Sequence, residues 1–524
     1  MASSLPICNL QSAICNPPVA LVGAGPGHPG LVTLRAVELL RQADFVLYDR
    51  LVSESVLDHV PAAARKVCVE ELGPCHAERL PHIQQAMIDA ARQGLRVVRL
   101  KGGDPMVFGR GGEEADALRQ AGIDYEIVPG VTAALGVASC AAIPLTHRRH
   151  ASAVAIVAGH EQAGKPGSLI DWAALARFPG TLVFYMGLGR LETIARSLIE
   201  HGKPATTPAA AVERATTPRQ RTVTATLTEL PTRVAAEGIQ APALVVVGDA
   251  VALRERIAWF EGRPLFGKTV LVTRPRHQAG DMVRKVEALG GQALVLPAVE
   301  IRPPDDWGPV DRALARLGEF SWLAFTSANG VGAFLGRLRA TGRDLRALGG
   351  LRLAAIGPAT ADALRAYHLE PDLVPQEFNS EGLAAALRGP VAGGRVLLAR
   401  ADRGLDLLRE ELSAVAEVEQ VAVYSQRDVR PSPDSAAWAA LRRGEVDYVS
   451  LTSSNIARAL LSGLDEAARQ HVKSGGVRLV SISPRTSAAV RELGYPVAAE
   501  AAEYTTEGVL AAMVGLARAV SADP

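Results

Sequence analysis

Short apolar runs that end in glycine-rich or polar turns recur along this chain, and a helical spacing of apolar residues follows most of them. In the first half these runs cover residues 19–22, 45–48, 96–100, 125–128, 153–157, 181–185 and 243–247. Such runs are typical of strands buried on both faces, and their alternation with helices favours parallel pairing. The pattern therefore predicts an α/β fold with mostly parallel sheets. A helix from Thr33 is expected to present Leu34, Val37 and Leu40 on one face.

The second half of the chain repeats this pattern with a different kind of turn. Its apolar runs cover residues 269–275, 293–296, 322–325, 353–356, 395–398, 420–424, 448–451 and 478–482. Two runs end in the similar turns TSANG (326–330) and TSSN (452–455), and two others end in GPATA (357–361) and SPRTS (483–487). This order, repeated after roughly a hundred residues, indicates two similar α/β lobes. Ordinary helix capping by Ser, Thr and Asn explains part of the similarity as well.

The most informative stretch is VRLKGGDPMVFGRGGEE, residues 98–114. It begins as a buried strand and breaks at Gly102 and Gly103, which permit positive φ and close approach of a ligand to the backbone. Pro105 restricts Asp104 to an extended conformation. A glycine-containing turn alone is ordinary, but two further strand ends carry glycine-containing loops, at 23–29 and 129–134, and a third carries the polar turn at 49–52. Open α/β sheets bind ligands at such strand ends, so a ligand site is predicted here.

The first of these loops does not match a dinucleotide-binding fingerprint. The GxGxxG motif would need glycine at position 28, where this chain has His28, and Pro26 lies inside the loop. Polar residues at the strand ends are the other candidates for chemistry. Asp49 and Arg50 suit catalysis or ligand binding, or form a surface ion pair. The basic cluster with Arg148 and Arg149 either emerges near the loop ends or is a solvated face, and Thr132 is placed to cap the next helix.

Composition narrows the classes of partner. With 524 residues the chain is too long for one core, and roughly three to four domain-sized units fit. A formal net charge of +1 and 4% aromatic residues argue against nucleic-acid binding. The longest apolar run, residues 241–247, is too short to span a bilayer, so no membrane partner is expected.

Cysteine usage and the N-terminal stretch predict a cytoplasmic protein. The cysteines form no CxxC pair, so reduced thiols are expected, and neither a disulfide framework nor a metal site is indicated; they are Cys8, Cys15, Cys68, Cys75 and Cys140. The first residues lack the charged start and long apolar segment of a signal peptide. Residues 1–17 are therefore predicted to be a short N-terminal arm.

Residues 18–260 resemble the uroporphyrinogen-III C-methyltransferases of the tetrapyrrole methylase family. The matching motifs occur in the family's order: VGAGPGHPGLVTLRA (22–36), YDRLV (48–52), VVRLKGGDPMVFGRGGEE (97–114), VPGVTAALG (128–136), IPLTHR (143–148), FYMGL (184–188) and PALVVVGDAVALRERIAWF (242–260). The resemblance implies a two-lobed methylase domain over 18–262 and an S-adenosylmethionine site between its lobes. The implied cofactor contacts are Gly25, Pro26, Gly102, Gly103, Asp104, Val107, Thr132, Ala133, Met186 and Ala215.

The resemblance also implies roles in catalysis. Asp49 matches the family's proposed proton acceptor, with Arg50 beside it, and Arg50, Arg148 and Arg149 are natural clamps for a substrate with eight carboxylates. One departure affects this assignment, because Glu71 stands where the family has a lysine that is proposed as a proton donor. His76 falls where the family has a histidine, and His28 replaces an acidic or amide residue.

After a short linker over 263–267, residues 265–518 resemble uroporphyrinogen-III synthases. The motifs are LFGKTVLVTRPR, FTSANGV, AIGPATADAL, FNSEGL, VYSQ and DYVSLTSSN. The resemblance implies a domain over 268–524 with two lobes joined by a two-strand hinge, one built from about 268–300 and 426–520 and the other from 301–425. Tyr424 matches the tyrosine most often proposed as an acid. Hydroxyl and backbone groups are expected to hold substrate carboxylates at Thr326, Ser327, Thr360, Thr452, Ser453 and Thr486.

Together the two resemblances imply one bifunctional enzyme. The synthase would convert hydroxymethylbilane to uroporphyrinogen III with inversion of ring D, and the methylase would then methylate C2 and C7 to give precorrin-2. The methylase family also implies a homodimer. Two alternatives stay open: an active synthase fused to a methylase that is weak or acts on another tetrapyrrole, and a tetrapyrrole-binding or sensing module with one degenerate half.

Overall fold

The computed structural model describes residues 18–73, 76–160, 170–403, 406–432 and 435–521. The chain divides into two compact units. The first contains the residues up to Lys268 together with Val286–Gln292, and the second contains Thr269–Lys285 and the residues from Ala293 onward. The predicted arm, residues 1–17, lies outside the described residues. Within the described ranges, no helix is long and apolar enough to cross a membrane.

The first sheet of the first unit is fully parallel. Its strands are β1 (Val19–Gly23), β2 (Phe45–Tyr48), β3 (Arg65–Cys68), β4 (Val97–Lys101) and β5 (Tyr125–Val128), in the order β3-β2-β4-β1-β5. Side chains of β1 alternate between two cores, one containing Leu40 and the other Met87. Because both faces are covered, every residue of β1 is buried. The accompanying helices are Leu34–Gln42, Glu54–Leu57, His76–Arg92 and Gly111–Gln120.

The structure contradicts one residue of the predicted face of the first helix, Leu34. Thr33 caps helix Leu34–Gln42, and its Oγ1 accepts a hydrogen bond from Ala36 N at 3.2 Å. The buried residues of this helix are, however, Ala36, Leu39 and Leu40, and Leu34 is 85% exposed. The stripe that faces the sheet therefore starts two residues later than the spacing of large apolar residues indicates.

The second sheet of the first unit departs from the parallel pattern. Its strands are β6 (Val154–Ala158), β7 (Thr181–Tyr185), β8 (Pro208–Glu213), β9 (Arg221–Thr226) and β10 (Ala243–Val247), in the order β6-β7-β10-β8-β9. β6 pairs parallel with β7, whereas the other pairs are antiparallel. The helices of this region are Ala133–Cys140, Trp172–Arg177, Leu191–Glu200, Leu230–Ala236 and Arg254–Ile257.

The strands described in the second half are β11 (Thr269–Val272), β12 (Gln292–Val295), β13 (Val299–Arg302), β14 (Trp322–Phe325), β15 (Arg352–Ala355), β16 (Arg395–Ala401), β17 (Glu417–Asp428), β18 (Tyr448–Leu451), β19 (Arg478–Ser481) and β20 (Ala499–Glu500). They form two sheets, β12-β11-β18-β19-β20 and β13-β17-β16-β14-β15. The beginning and the end of this half thus share one sheet. β13 pairs antiparallel with β17, from Val299↔Asp428 to Arg302↔Ser425. The other recorded pairs of these sheets are parallel.

Helices cover the sheets of the second half. They are Arg276–Ala288, Gly308–Ala315, Ala328–Ala340, Pro358–Arg365, Ser380–Arg388, Leu407–Ser413, Ala436–Arg442, Ser454–Ser462, Glu466–Lys473, Pro484–Glu492 and Thr506–Ser521. Each sheet has its own apolar core, one around Leu271 and Trp438 and the other around Phe325 and Phe334. Both predicted lobe boundaries, at 300/301 and 425/426, fall inside the β13–β17 pair.

Candidate active sites

Loops from four strands of the first sheet meet at one edge, because the strands are parallel and their carboxyl ends point the same way. Gly25 and Gly103 form an antiparallel bridge: Gly25 N donates to Gly103 O at 3.1 Å, and Gly103 N donates to Gly25 O at 2.8 Å. Both residues have positive φ, +79° and +67°. Glycine adopts this conformation without steric cost, which explains the residue type at both positions.

The loops after β1, β4 and β5 pack backbone against backbone. A Cβ on Gly130 would lie 2.1 Å from Gly103 O, and one on Gly23 would lie 2.5 Å from Gly130 N. By contrast, a Cβ on Gly103 would meet nothing closer than 3.8 Å. A Cβ at Gly103 would thus make only ordinary contacts, and the tightly packed Gly23 and Gly130 beside it form a cradle at the sheet edge.

Asp104 holds two of these loops together. Its Oδ1 accepts from Met106 N at 2.8 Å, and its Oδ2 accepts from Gly130 N at 3.0 Å. Val107 N closes the turn onto Asp104 O at 3.4 Å. A carboxylate has about four acceptor positions, so two of them stay available for a ligand.

Thr132 does not cap the helix that follows it, and this prediction is wrong. It occupies the N-cap position of helix Ala133–Cys140, but its side chain makes no capping bond. Its Oγ1 lies 2.6 Å from the hydroxyl of Tyr185, which also accepts from Ala134 N at 2.7 Å. The phenol at the end of β7 thus takes the capping role. Burial raises the pKa of Tyr185.

Segments of the second sheet complete the surroundings of the cradle. Met186, directly after β7, is 55% exposed and has φ +53°, a strained conformation for a side chain of this size. Ala215 is buried, and Thr216 next to it accepts from His28 N at 3.1 Å. A Cβ on Gly136 would lie 2.8 Å from Pro26 Cβ, so the first loop also contacts helix Ala133–Cys140.

Asp49 lies at the end of β2 with both oxygens engaged. Oδ1 accepts from Arg99 Nη2 at 2.5 Å, and Oδ2 accepts from Gly102 N at 3.2 Å. Arg99 belongs to a buried group of charges with Lys101 and Glu114. Asp49 is therefore anchored to the loop after β4 and to the sheet beneath it.

The predicted basic clamps are exposed. Arg50, Arg148 and Arg149 face solvent, and their guanidinium groups have no hydrogen-bond partner among the described residues. Arg148 and Arg149 lie in a turn closed by the bridge between His147 and Ala151. The structure does not bring the arginines of this turn into contact with Asp49.

Two of the family departures can be located. Glu71 is exposed in the short 3₁₀ helix Val69–Leu72, and its charge is one of those that raise the pKa of Tyr48, after burial and the charge of Cys68. His28 caps the turn Pro29–Leu31 by accepting from Gly30 N at 3.0 Å, and burial lowers its pKa. The side chain of His76 lies outside the described part of the chain.

In the second unit, Tyr424 is buried on β17, in the sheet β13-β17-β16-β14-β15. It is 4% exposed, and its hydroxyl lies 3.0 Å from Ser327 Oγ. Ser327 also caps helix Ala328–Ala340 by accepting from Gly330 N at 3.0 Å. Burial raises the pKa of Tyr424. Asn329 Oδ1 of the same turn accepts from Nε2 of Gln278, on helix Arg276–Ala288, at 2.5 Å.

The remaining hydroxyl groups lie at strand ends and first helical turns. Ser453 caps helix Ser454–Ser462, accepting from Ile456 N at 3.2 Å. Thr360 and Thr486 are buried, and Thr486 Oγ1 lies 3.2 Å from Ser483 Oγ. Capping thus explains the residue type at Ser327 and Ser453. Thr326 and Thr452 are half-buried. Binding of substrate carboxylates by these six hydroxyl residues stays a prediction.

Comparison with known proteins decides the family. Residues 18–231 match the family model of tetrapyrrole (corrin/porphyrin) methylases, and residues 280–511 match that of uroporphyrinogen-III synthase. The porphyrin biosynthesis protein HemD of Ruminiclostridium josui is 35% identical over 453 residues, which cover 86% of this chain and 89% of that protein. The chain belongs to the family that fuses a tetrapyrrole methylase to a uroporphyrinogen-III synthase. The two predicted resemblances are thus confirmed.

Other relatives match one half only. The siroheme synthase of Stutzerimonas stutzeri is 50% identical over 250 residues, 48% of this chain, and the chain spans 53% of that relative's length. A uroporphyrin-III C-methyltransferase structure from Thermus thermophilus with S-adenosyl homocysteine is 44% identical and covers 45% of this chain and 99% of its own, with a TM-score of 0.38. A uroporphyrinogen III synthase from the same organism is 24% identical and covers 49% of this chain and 99% of its own, with a TM-score of 0.30.

Sequence analysis missed two groups in the methylase half. The first is the buried set of Arg99, Lys101 and Glu114, for which the signal was available: two cations stand inside an otherwise apolar strand. The second is the hydroxyl of Tyr185. This residue belongs to the FYMGL motif, but no feature of the sequence indicates the hydrogen-bond partners of its hydroxyl.

Proposed function

We propose that this chain is a bifunctional enzyme of tetrapyrrole biosynthesis. The synthase half cyclises hydroxymethylbilane to uroporphyrinogen III with inversion of ring D, and the methylase half transfers methyl groups from S-adenosylmethionine to C2 and C7, giving precorrin-2. The strongest support is the glycine cradle at Gly103 in a chain whose halves match the families of consecutive steps.

The residues around the cradle fit S-adenosylmethionine. The loop glycines allow a ligand to approach the backbone closely, and Asp104 keeps acceptor positions for hydroxyl or ammonium groups. S-adenosylmethionine would be held by Gly25, Pro26, Gly102, Gly103, Asp104, Val107, Thr132, Ala133, Met186 and Ala215. When bound it supplies an electrophilic methyl group. The protein then contributes mainly the position of the acceptor carbon, with modest acid–base help.

Asp49 is the proposed proton acceptor of the methylase half, and it is held at the strand edge by Arg99 and Gly102 N. Arg50, Arg148 and Arg149 are proposed to bind substrate carboxylates. Their exposed guanidinium groups have no competing partner among the described residues, so a polycarboxylate gains charge-assisted hydrogen bonds without breaking existing ones.

Tyr424 is the proposed acid of the synthase half, donating a proton to the hydroxyl that leaves hydroxymethylbilane. Burial raises the pKa of this phenol, so it stays protonated at neutral pH and able to donate. We propose that substrate carboxylates in this half bind to hydroxyl and backbone groups of Thr326, Ser327, Thr360, Thr452, Ser453 and Thr486.

The proposed domains cover residues 18–262 and 268–524, and residues 263–267 link them.

The methylase is proposed to act as a homodimer in the cytoplasm. Large apolar side chains stay exposed on the monomer, which supports a partner surface; they include Leu34, Leu135, Ile257 and Trp259. The thiols of Cys68 and Cys140 are free, as in a reducing compartment. Light scattering coupled to size-exclusion chromatography tests the dimer, and a monomer mass would contradict it.

A one-pot assay tests the proposed function. Full-length protein receives hydroxymethylbilane and methyl-labelled S-adenosylmethionine, and the products are followed by absorbance and mass. We expect a doubly methylated product, with uroporphyrinogen III accumulating when S-adenosylmethionine is left out. Ring closure at the spontaneous rate would favour a binding or sensing module instead.

Glu71 favours a second candidate, in which the synthase is active and the methylase is weak or acts on another tetrapyrrole. An exposed carboxylate in place of a lysine removes a cationic proton donor. Unmethylated uroporphyrinogen III as the sole product of the one-pot assay would support this candidate. Methyl uptake by a different tetrapyrrole would identify its acceptor.

A further inference from the structure

A group of buried charges lies beneath the loop that follows β4. Arg99 and Lys101 are two positions apart on this strand and therefore point to the same side. Helix Gly111–Gln120 places Glu114 against them. The side chains are 2%, 3% and 1% exposed, respectively. Charges buried this deeply are rare unless they are paired, and they often serve a purpose beyond stability.

The contacts of this group form a line that ends at the sheet edge. Glu114 Oε1 accepts from Lys101 Nζ at 2.8 Å and from Arg99 Nε at 3.1 Å. Arg99 Nη2 then donates to Asp49 Oδ1 at 2.5 Å. Asp49 is 28% exposed, so it is the member of the line that a substrate can reach. A continuous line of contacts through Lys101, Glu114 and Arg99 thus connects the protein interior to the proposed proton acceptor, Asp49.

Glu114 holds one edge of the Arg99 guanidinium. Arg99 Nε faces Glu114, and Nη1 donates to the carbonyl of Leu100 at 3.1 Å, so Nη2 is left pointing at Asp49. A guanidinium is planar and rigid, and fixing one edge therefore fixes the other. The second oxygen of Glu114 is buried and has no hydrogen-bond partner among the described residues. Such an incompletely satisfied carboxylate is costly to keep and is unlike an optimised structural ion pair.

Other charged groups near this line are few among the described residues. From the same helix the exposed Glu113 pairs with Arg110 at 2.9 Å, and after this hydrogen bond the charge of Lys101 also helps to lower the pKa of Glu113. From helix His76–Arg92, the recorded contact to this region is the neutral Gln84, which donates to Glu113 O at 2.9 Å.

We infer that Glu114 is a positioning residue for methyl transfer, which acts through Arg99 to fix the orientation of Asp49. This inference rests on the proposed role of Asp49 as the proton acceptor of the methylase half. Glu114 does not touch the substrate, so its loss should reduce turnover and leave the binding of S-adenosylmethionine unchanged.

The test compares E114Q with D116N in the full-length protein, with saturating uroporphyrinogen III and labelled S-adenosylmethionine as substrates. For E114Q we expect kcat to fall at least about tenfold, as for a displaced acid–base group. The KM for S-adenosylmethionine should stay within about twofold. The variant D116N removes an exposed carboxylate from the same helix, which accepts from Gln120 Nε2 at 2.8 Å, and it should match the wild type.

A further variant tests position at constant charge. E114D keeps the carboxylate but shortens the side chain, so its kcat should fall as well. Circular dichroism and thermal melting give the folded fraction to which every rate is normalised.

Wild-type kcat in folded E114Q would overturn the inference, as would a rise in KM with kcat unchanged. An E114D variant with the wild-type rate would also count against positioning. Absence of methyl transfer in the wild type is a separate result, which would overturn the proposed function and, with it, the inference.

Discussion

The phenolic oxygen of Tyr185 lies 2.6 Å from Thr132 Oγ1, and this contact joins the two sheets of the methylase half. Tyr185 ends β7 of the second sheet, and Thr132 begins the helix that follows β5 of the first. The same phenol accepts from Ala134 N at 2.7 Å and packs against the ring of Phe108, with ring centroids 5.1 Å apart. One side chain therefore holds two segments of the proposed cofactor site in register.

Replacing Tyr185 with Phe should weaken cofactor binding. The change removes one hydroxyl and leaves Ala134 N and Thr132 Oγ1 without their partner. An unsatisfied buried polar group costs about 1–2 kcal/mol, which corresponds to a roughly five- to thirtyfold higher Kd if it falls on the bound state. Isothermal titration with S-adenosyl homocysteine measures this. Y125F, on β5 of the same half, is the matched control, and equal affinities for Y185F and wild type would contradict the prediction.

Replacing Tyr424 with Phe should slow the synthase reaction alone. A positioned general acid contributes about a hundredfold or more to the rate, so conversion of hydroxymethylbilane should fall by about that factor. Methylation of added uroporphyrinogen III should stay at the wild-type rate. Y495F removes another buried phenol, whose hydroxyl donates to Leu461 O at 3.3 Å, and it controls for loss of a buried hydroxyl. A Y424F variant with normal cyclisation would exclude Tyr424 as the acid.

Replacing Glu71 with Lys should increase methylation. The substitution introduces the cationic donor that the family resemblance implies, on an exposed turn where it costs little stability. We expect kcat for methyl transfer to rise severalfold, or by about one order of magnitude at most. E54K makes the same charge change near Tyr48, since Glu54 is another charge that raises the pKa of this phenol. A similar gain in E54K would show that net charge, rather than a placed proton donor, is responsible.

The parallel sheet of the methylase half could be predicted from sequence because helices cover both of its faces. β1 and β2 are consequently continuous apolar runs, whereas Arg99 and Lys101 interrupt the run of β4. β8 and β9 gave no comparable signal. β8 is mainly alanine, which has low strand propensity, and β9 alternates threonine with smaller or apolar residues as a partly exposed edge strand.

The site was predictable only where residue type and backbone conformation are linked. Gly25 and Gly103 need positive φ, and this requirement is visible in the sequence. The partners of Asp49 were not visible, because Arg99 and Glu114 meet it only after the strand and the helix have packed. The same holds for Thr132, whose hydroxyl was expected to cap its own helix and instead contacts a phenol from another sheet. Local rules such as capping give way when a tertiary partner competes for the same group.

The ion pair between Asp44 and Arg96 makes the methylase half sensitive to acid. Asp44 precedes β2 and Arg96 precedes β4, so their contact ties the starts of neighbouring strands. Asp44 Oδ2 accepts from the backbone N and Nε of Arg96 at 3.0 and 2.9 Å, and Oδ1 accepts from Nη2 at 2.9 Å. These hydrogen bonds lower the pKa of Asp44 to about 2.

The sign of the effect follows from this depressed pKa. The folded state holds Asp44 ionised more strongly than the unfolded chain does, so the contribution to stability is complete above about pH 4 and is lost as the pH falls towards about 2. About a third of the side chain is exposed, and solvent screening limits the effect to about 0.5–1 kcal/mol. D44N should therefore melt at a lower temperature than the wild type at pH 7, and the difference should shrink steadily below about pH 4. D124N, at the exposed position before β5, should show no such pH dependence in parallel calorimetric scans. A D44N difference that stayed constant down to about pH 2 would mean that the carboxylate charge is not what stabilises this strand pair.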